Sequence, residues 1–486
     1  MYPIFKHITL TLLFVFLTTG NIWAQKNKEI TIEGEAPFAA NYEIRVITYS
    51  DYITFTPQTV ASAKISSNGH FKLSFKANTI LLAEIEINTS SAELYLVPGY
   101  HYNFNINMDE QLFKLFNPAD ENGFLQVYSE TIDTNDLNYK IQKFSTYYEK
   151  LMKDYAYRIT LFKHRQDYDS LEQKVRNLYP VEYNPTNFYH SYIFYTLGQM
   201  EAVIMNKDPK KIFDKYFNND YILYDNPAYM LLFNYYYDNY LYLSPRIPKD
   251  VLNSAINEKC DYLTLFNAIG KDFSLVNERL RELVIIKNLT QFIGNNEFNQ
   301  ENLFVLLEHI IKNTKFPEHK IIAEYSIKRI VKFDPGNIVQ KFEFKNANGS
   351  RFNHHDLKGK WVYYQFFTTQ CADCIREMLI IEELQKTFKD KITFVSVSLD
   401  ADKTKFIQFK KKYNQFDWDI IHFNQSYDWL REMEIYSLPE YLLFAPDGTL
   451  FSRYPPAVDR DLSIFLIRLF TEEEVEKNPL DVKNQD

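Results

Sequence analysis

Two cysteines, Cys371 and Cys374, have the residue type and spacing best suited to chemistry, in the motif Cys-Ala-Asp-Cys. The apolar run from Trp361 to Phe367 predicts a buried strand before the motif, and a helix is predicted over 371–388. The first sulfur would then lie at a helix N-terminus, where free amides and the helix dipole favour a thiolate. The second thiol could displace whatever the first captures. We therefore expect dithiol–disulfide exchange, with the Cys371–Cys374 disulfide as the redox group and no bound cofactor.

The alternatives for this pair are half of a zinc site or an idle pair of thiols. Zinc needs two more ligands, and the sequence has no second Cys-x-x-Cys and no His-x-x-x-His. A disulfide across such a short loop would also stabilise the fold little, because closing the loop restrains the unfolded chain little. The third cysteine, Cys260, is most simply a small buried hydrophobic residue, and an intermolecular disulfide is its alternative.

The composition predicts a folded chain of several domains. Its 486 residues are 46% hydrophobic and 24% charged, which favours packed cores over disorder. The net charge is -9 and no long basic run is present, so we expect no nucleic-acid partner.

Residues 1–24 have the features of a secretory signal. Lys6 precedes a short apolar run from Ile8 to Leu17, and Ala24 lies at a suitable cleavage position. The alternative is an uncleaved membrane anchor, for which the apolar run is short. We expect a periplasmic or other extracytoplasmic protein that is not stably inserted in the membrane after cleavage.

The pattern of apolar residues changes along the chain. Alternation at positions such as 71, 73 and 75 predicts short strands. Recurrence every three or four residues, as at Phe144, Tyr148 and Leu151, predicts amphipathic helices. Strands that alternate with helices follow a Pro-Gly break at 335–336 and predict an α/β sheet with helices on both faces. The expected parts are an all-β sandwich-like or barrel-like domain at 25–110, an α-helical domain at 111–333, an α/β domain at 334–472 and a flexible acidic tail at 473–486.

Several motifs of the last domain occur in a specific order. They are Leu357-Lys358-Gly359-Lys360, Phe366-Phe367-Thr368-Thr369-Gln370 before the cysteine motif, and Ser437-Leu438-Pro439 through Pro446-Asp447-Gly448. This ordered set resembles the TlpA/ResA-like thiol:disulfide oxidoreductases of the thioredoxin-like superfamily, over about residues 335–471. The resemblance implies a thioredoxin-like fold for the C-terminal domain of a multidomain exported protein.

The resemblance also implies roles for five residues. Cys371 would be the exposed nucleophile and Cys374 the resolving thiol. Pro439 matches the family's cis-proline, with an ordinary trans proline as the alternative. Glu377 matches an acidic residue that could tune a thiol pKa or shuttle a proton, unless it is a plain solvated charge. Gln365 lies where relatives bury a polar group beneath the thiols, although an amide cannot accept a proton as a carboxylate does.

The sequence departs from the family pattern at three positions. Asp373 stands where relatives have proline, Gln370 where they have tryptophan, and Leu379 where they have proline. The charge of Asp373 should disfavour a thiolate and make the dithiol reducing. The competing interpretation is that Asp373 only stabilises the first helical turn.

The resulting prediction is an extracytoplasmic enzyme that exchanges dithiols and disulfides with protein substrates, as a reductant. The resemblance implies a membrane electron donor that recharges it. One alternative is a partner-binding or scaffold protein with a vestigial thioredoxin-like domain. Another is a disulfide-forming oxidase, which differs from a reductant in its redox potential.

Overall fold

The computed structural model describes the chain from residue 28 to 477 with gaps. The described residues are 28–88, 90–109, 113, 125–129, 133–162, 165–180, 183–204, 208–293, 295, 297–332, 343–345, 351–400, 403–423, 429–430, 433, 435, 438–458 and 460–477. The signal segment expected at 1–24 lies outside them. None of the helices in the described residues has the length and apolarity needed to cross a bilayer.

The front part of the chain consists of two four-stranded sheets, with strand orders β4-β1-β7-β8 and β3-β2-β5-β6. The strands are β1 Lys28–Glu35, β2 Glu43–Tyr49, β3 Pro57–Lys64, β4 His70–Ala77, β5 Leu81–Ile87, β6 Ser90–Leu96, β7 His101–Asn107 and β8 Gln126–Ser129. Alternating apolar residues from both sheets, such as Ile30 and Ile32 of β1 and Ile85 and Ile87 of β5, fill one hydrophobic core.

The strand β8 lies beyond position 110, inside the range that we assigned to the helical part. It pairs antiparallel with β7, where Val127 lies opposite Ile106. Its four residues are too few to show a period of two, so pairing with β7 rather than the local pattern determines its structure.

The middle of the chain is helical. Its helices are α1 Leu137–Phe162, α2 Arg165–Leu178, α3 Phe188–Ile204, α4 Pro209–Tyr216, α5 Pro227–Tyr236, α6 Tyr240–Leu243, α7 Lys249–Asn253, α8 Tyr262–Ile269, α9 Glu278–Gln291, α10 Gln300–Asn313 and α11 Pro317–Lys332, with a π-helical turn at Ser254–Glu258. The abundant tyrosines and phenylalanines of this part are largely core residues, as Tyr195, Tyr229 and Phe233 show.

Hydrogen bonds connect the front sheets to the helices. The Asn234 side chain donates to the Tyr52 carbonyl at 2.6 Å, and the Tyr95 amide donates to the Asn138 side chain at 2.6 Å. The Asn138 amide group donates back to the Tyr95 carbonyl at 2.9 Å. These contacts satisfy backbone groups at the ends of strands, so the two parts pack against each other with matched polar groups.

The C-terminal part is a seven-stranded sheet with the order β10-β9-β13-β12-β11-β14-β15. Its strands are β9 Glu343–Lys345, β10 Arg351–Asn353, β11 Trp361–Phe367, β12 Ile392–Ser398, β13 Asp419–His422, β14 Glu440–Phe444 and β15 Leu450–Ser452, and its helices are α12 Ala372–Phe388, α13 Lys403–Lys412 and α14 Arg460–Lys477. The central strands β11, β12 and β13 are parallel, whereas β14 runs antiparallel to β11. Every residue of β11 is buried, as its apolar run predicts.

The two faces of this sheet are covered differently. The described helices α12, α13 and α14 all bury side chains in the core on one face, among them Met378, Phe406 and Leu466. The other face is covered by Phe352, Trp429, Leu430, Met433 and Ile435. Within the described residues, Trp429 and Leu430 of the second face are themselves helical, so helical side chains lie on both faces, as the sequence pattern predicts.

The last helix is longer than the sequence pattern predicted. We expected a flexible acidic tail at 473–486, but α14 continues to Lys477. The added turn has the sequence Glu-Glu-Glu-Val-Glu-Lys, and Glu and Lys are good helix formers even without an apolar face to bury.

Candidate active site

The two cysteines of the motif form a disulfide at the start of α12, with an S–S distance of 2.05 Å. Cys371 is the N-cap residue of this helix, and its sulfur accepts a hydrogen bond from the Cys374 amide at 3.1 Å. Cys371 is half-buried, whereas Cys374 is fully buried in the core beneath the helix. Only the first sulfur is therefore placed where another molecule can reach it.

The carboxylate of Asp400 holds the segment that precedes the cysteines. It accepts hydrogen bonds from the Thr369 amide at 3.0 Å and the Thr369 hydroxyl at 2.7 Å. The Ser398 hydroxyl also donates to it at 2.7 Å, and the Asp400 carbonyl accepts from His422 at 2.7 Å. Because Thr369 is fixed in this way, the chain turns from β11 into α12 with the Cys371 amide bonded to the Thr368 carbonyl at 3.1 Å.

A chain of buried hydrogen bonds lies beneath the disulfide. Gln365 on β11 is fully buried, and its amide nitrogen donates to the Cys374 carbonyl at 3.3 Å and to Glu377 at 3.1 Å. The Ser396 hydroxyl donates to the Gln365 carbonyl oxygen at 3.2 Å, and the Trp418 ring nitrogen donates to Ser396 at 2.9 Å. Every polar group of the Gln365 side chain is thus used, as burial requires.

The far end of this chain is Tyr441 on β14. Its hydroxyl donates to both carboxylate oxygens of Glu377 at 2.7 Å. Burial, reinforced by the Glu377 carboxylate, raises the pKa of Tyr441 well above its usual value, so the hydroxyl keeps its proton. Glu377 is therefore not the plain solvated charge that we considered as an alternative, because Gln365 and Tyr441 both bind it.

Pro439 lies at the same end of the sheet as the disulfide. The peptide bond between Leu438 and Pro439 is cis, as the resemblance implies. Glu440 pairs with Phe366 near the carboxyl end of β11, so Pro439 lies just beyond that end, where the chain continues to Cys371. The structure thus brings four of the predicted site residues into one hydrogen-bonded region and places Pro439 at its edge.

Asp373 is on the outer surface of α12. It forms an ion pair with Arg376 at 2.8 Å, and both side chains are mostly exposed. Solvent screens such a pair, so it offsets only part of the negative charge beside the sulfurs. Leu379 is exposed on the same helix, where its apolar side chain meets water.

Cys260 lies in the helical part rather than at this site. It is half-buried against the helical core, and its sulfur is 3.7 Å from the Asn302 carbonyl. The prediction that it is a small buried residue is correct only in part, because its side chain retains some exposure.

Sequence reasoning missed Asp400, Ser396, Trp418 and Tyr441. Asp400 follows the largely apolar segment that forms β12, and side chains at the carboxyl ends of parallel strands meet at one edge of a sheet, so its position could have indicated a place near the site. For Tyr441 the indication of a place in the site was weak and consisted of its position two residues after Pro439.

Comparison with known proteins agrees with this geometry. Residues 359–450 match a family model described as thioredoxin-like. The C-terminal part of the chain is a thioredoxin-like domain. One relative is the thioredoxin-like protein YneN of Bacillus subtilis (strain 168). It is 34% identical over 74 residues, which are 15% of this chain and 44% of the relative. The matched segment thus spans less than half of that relative.

The thioredoxin-like domain also matches the thiol-disulfide oxidoreductase ResA of Bacillus subtilis (strain 168). The identity is 28% over 151 residues, which cover 30% of this chain and 75% of ResA. Among solved structures, the thioredoxin domain of a thiol-disulfide oxidoreductase from Bacteroides vulgatus matches with 20% identity and a TM-score of 0.26, covering 28% of this chain and 96% of that one. Curated relatives of this domain are therefore named as thiol-disulfide oxidoreductases.

Proposed function

We propose that the chain is an extracytoplasmic thiol:disulfide oxidoreductase that reduces disulfides in protein substrates. One observation carries the proposal: a half-exposed Cys371 caps a helix and is joined to a buried Cys374 within a thioredoxin-like domain. In the reduced protein, the helix N-terminus would favour a thiolate at Cys371. Cys374 is held within bonding distance of it, so it can resolve a mixed disulfide without a large movement.

The charges around the sulfurs support reduction over oxidation. Asp373 lies in the first turn of α12, and the Glu377 carboxylate lies beside the Cys374 backbone through their shared contact with Gln365. Negative charge disfavours a thiolate, which makes the disulfide more stable and the dithiol a stronger reductant. The spent disulfide must then be reduced again, and we propose a membrane electron donor for this step, on the resemblance to the TlpA/ResA-like family.

The extracytoplasmic location is proposed on the signal-like features of residues 1–24. For the front part we infer a β-sandwich, because both of its four-stranded sheets contribute alternating apolar residues to a single core. N-terminal sequencing of the protein from a periplasmic extract tests the location. A mature N-terminus at Gln25 is expected, and an intact Met1 would contradict it.

Trapping of substrates tests the proposed reaction. Cys374→Ser should leave Cys371 able to attack but unable to release its substrate, so mixed disulfides should accumulate and disappear on treatment with dithiothreitol. Cys371→Ser should abolish both trapping and insulin reduction. Cys260→Ser is the matched control, since that residue lies in the helical part, and it should behave as the parent protein.

The same experiment separates the alternatives. If neither active-site substitution changes insulin reduction or trapping, the domain is vestigial and the chain is a binding protein. Equilibration with glutathione separates reductant from oxidase. A potential near that of the strong disulfide-forming catalysts, about −120 mV, would contradict the proposed direction.

A further inference from the structure

Tyr441 contacts Glu377 but takes no part in the exchange between the two cysteines and a substrate. It lies directly opposite Gln365 in the antiparallel pair of β14 and β11. Both side chains point to the same face of the sheet and both donate hydrogen bonds to Glu377 on α12. The two neighbouring strands β11 and β14 therefore each supply a hydrogen-bond donor to the Glu377 carboxylate of α12.

The position of the carboxylate follows from the shared donor. The Gln365 amide nitrogen is 3.1 Å from a Glu377 oxygen and 3.3 Å from the Cys374 carbonyl, so the carboxylate lies beside the backbone of the resolving cysteine. Donors to a carboxylate stabilise its ionised form. The hydroxyl of Tyr441 also receives a hydrogen bond from the backbone of Val458, which fixes its orientation toward Glu377.

We propose that Tyr441 is a positioning residue for the resolving step: it holds Glu377 ionised beneath Cys374, ready to accept the Cys374 proton. This inference rests on the proposed function. The Tyr441 hydroxyl does not touch the reacting atoms, and it acts through the carboxylate that it binds.

The reaction starts from the reduced protein, with Cys371 as a thiolate and Cys374 as a thiol. The Cys371 thiolate attacks one sulfur of the substrate disulfide, a Cys371–substrate bond forms, and the other substrate sulfur leaves as a thiolate that takes a proton from water. Cys374 then gives its proton to Glu377 and attacks the Cys371 sulfur. The Cys371–Cys374 bond forms, the substrate bond breaks, and the second substrate sulfur leaves as a thiolate. Two electrons pass from the dithiol to the substrate, and Glu377 returns its proton to water.

In the described residues, three elements contribute to the surroundings of this carboxylate. Cys374 lies one turn before Glu377 on the same helix, Tyr441 donates to it from β14, and Gln365 of β11 contributes a neutral amide. Glu440 acts on Tyr441 from the same strand, but its carboxylate is paired with Arg453 at 3.2 Å. Tyr441 therefore acts on the Glu377 carboxylate by direct contact, whereas Glu440 acts on it only through Tyr441.

The test is Tyr441→Phe in the full chain, which removes one hydroxyl and keeps the ring. The reduced protein is mixed with a peptide disulfide, and quenched-flow alkylation follows formation and decay of the Cys371–peptide bond from acid to neutral pH. Formation should stay within about twofold of the parent. On the acid limb of the profile, decay should slow about tenfold, because the limb should move up by about one pH unit, the size expected for loss of a donor to a charged group. Above that limb, decay in the variant and in the parent should converge.

The matched control is Tyr363→Phe. Tyr363 is a buried tyrosine of the same sheet, and its hydroxyl donates to the Pro456 carbonyl at 2.7 Å. This variant should keep the decay rate and pH profile of the parent. In the Glu377→Gln background, adding Tyr441→Phe should have little further effect, because the two residues act as one unit.

The possible outcomes distinguish the positioning role of Tyr441 from the proposed function of the protein. If the parent exchanges with the peptide but Tyr441→Phe matches Tyr363→Phe in decay and pH profile, the positioning role is wrong and the proposed function stands. Equal slowing of formation and decay would also overturn it, since that indicates general damage to the domain. If the parent does not exchange with the peptide disulfide at all, both the proposed function and the positioning role of Tyr441 are wrong.

Discussion

Replacing Lys287 by Met should stabilise the helical part of the protein at neutral pH. Lys287 is on α9, a helix that is apolar and buried on most of its surface, and only 6% of the residue is exposed. Burial lowers the pKa of its ammonium group from 10.5 to about 8, with partial opposition from Asp238. The folded protein therefore carries a charge that it solvates poorly, and Met has a similar length without that charge.

The size of the effect follows from the shift in pKa. Each pKa unit corresponds to about 1.4 kcal/mol, so the penalty for the charged form is about 3 kcal/mol. The folded-state pKa is the lower one, so the folded chain releases its proton first as the pH rises from about 8 to 10.5. The parent protein gains stability through that window. The advantage of Lys287→Met should thus be about 3 kcal/mol at pH 7 and approach zero above pH 10.5.

Urea unfolding of the full chain measures this effect. The tryptophans lie at 23, 361, 418 and 429, so fluorescence follows the thioredoxin-like domain, while circular dichroism follows the helices. The control is Lys312→Met, whose exposed side chain pairs with Glu308, and it should change the unfolding free energy by less than about 0.5 kcal/mol. A loss of stability in Lys287→Met, or a gain that is the same at pH 7 and pH 10, would refute the reasoning.

Two further substitutions test other parts of the structure. Asp400→Ala removes the acceptor of the Thr369 amide and hydroxyl and of Ser398, so the free energy of unfolding of the thioredoxin-like domain should fall by about 3 kcal/mol; Asp400→Asn should lose less. Fluorescence-detected unfolding checks both, and equal stability of Asp400→Ala and the parent would contradict the assignment. Gly34→Ala should disrupt the pairing of β1 with β7, because its Cβ would lie 1.8 Å from the Phe104 carbonyl oxygen. A lower circular-dichroism melting temperature is expected. An unchanged melting temperature would show that β1 and β7 can move apart at little cost in free energy.

The elements around the cysteines were predictable because their signals are local. The apolar run at 361–367 and the helix after it appear in the structure as β11 and α12, close to the predicted bounds. Burial of Gln365 followed from the resemblance, because its place in the motif order is fixed relative to Cys371. The helical middle was likewise predictable, since α1 covers the periodic apolar positions Phe144, Tyr148 and Leu151.

The contacts that complete the site were not predictable from the same patterns. Tyr441 reaches Glu377 because β14 pairs with β11 in one register, and a shift of one residue would turn the tyrosine to the other face. The strands β8 and β13 have four residues each, too few to show a period. The arrangement of apolar segments on the second face of the sheet also depends on packing between distant parts of the chain.

The unequal burial of the two sulfurs has a consequence for the covalent complexes that this protein would form. Since a partner can approach Cys371 but not Cys374, every adduct is bonded to the protein through Cys371, at the N-terminus of α12. The adducts of a captured substrate would then differ only in which of the substrate's two sulfurs is bonded to Cys371.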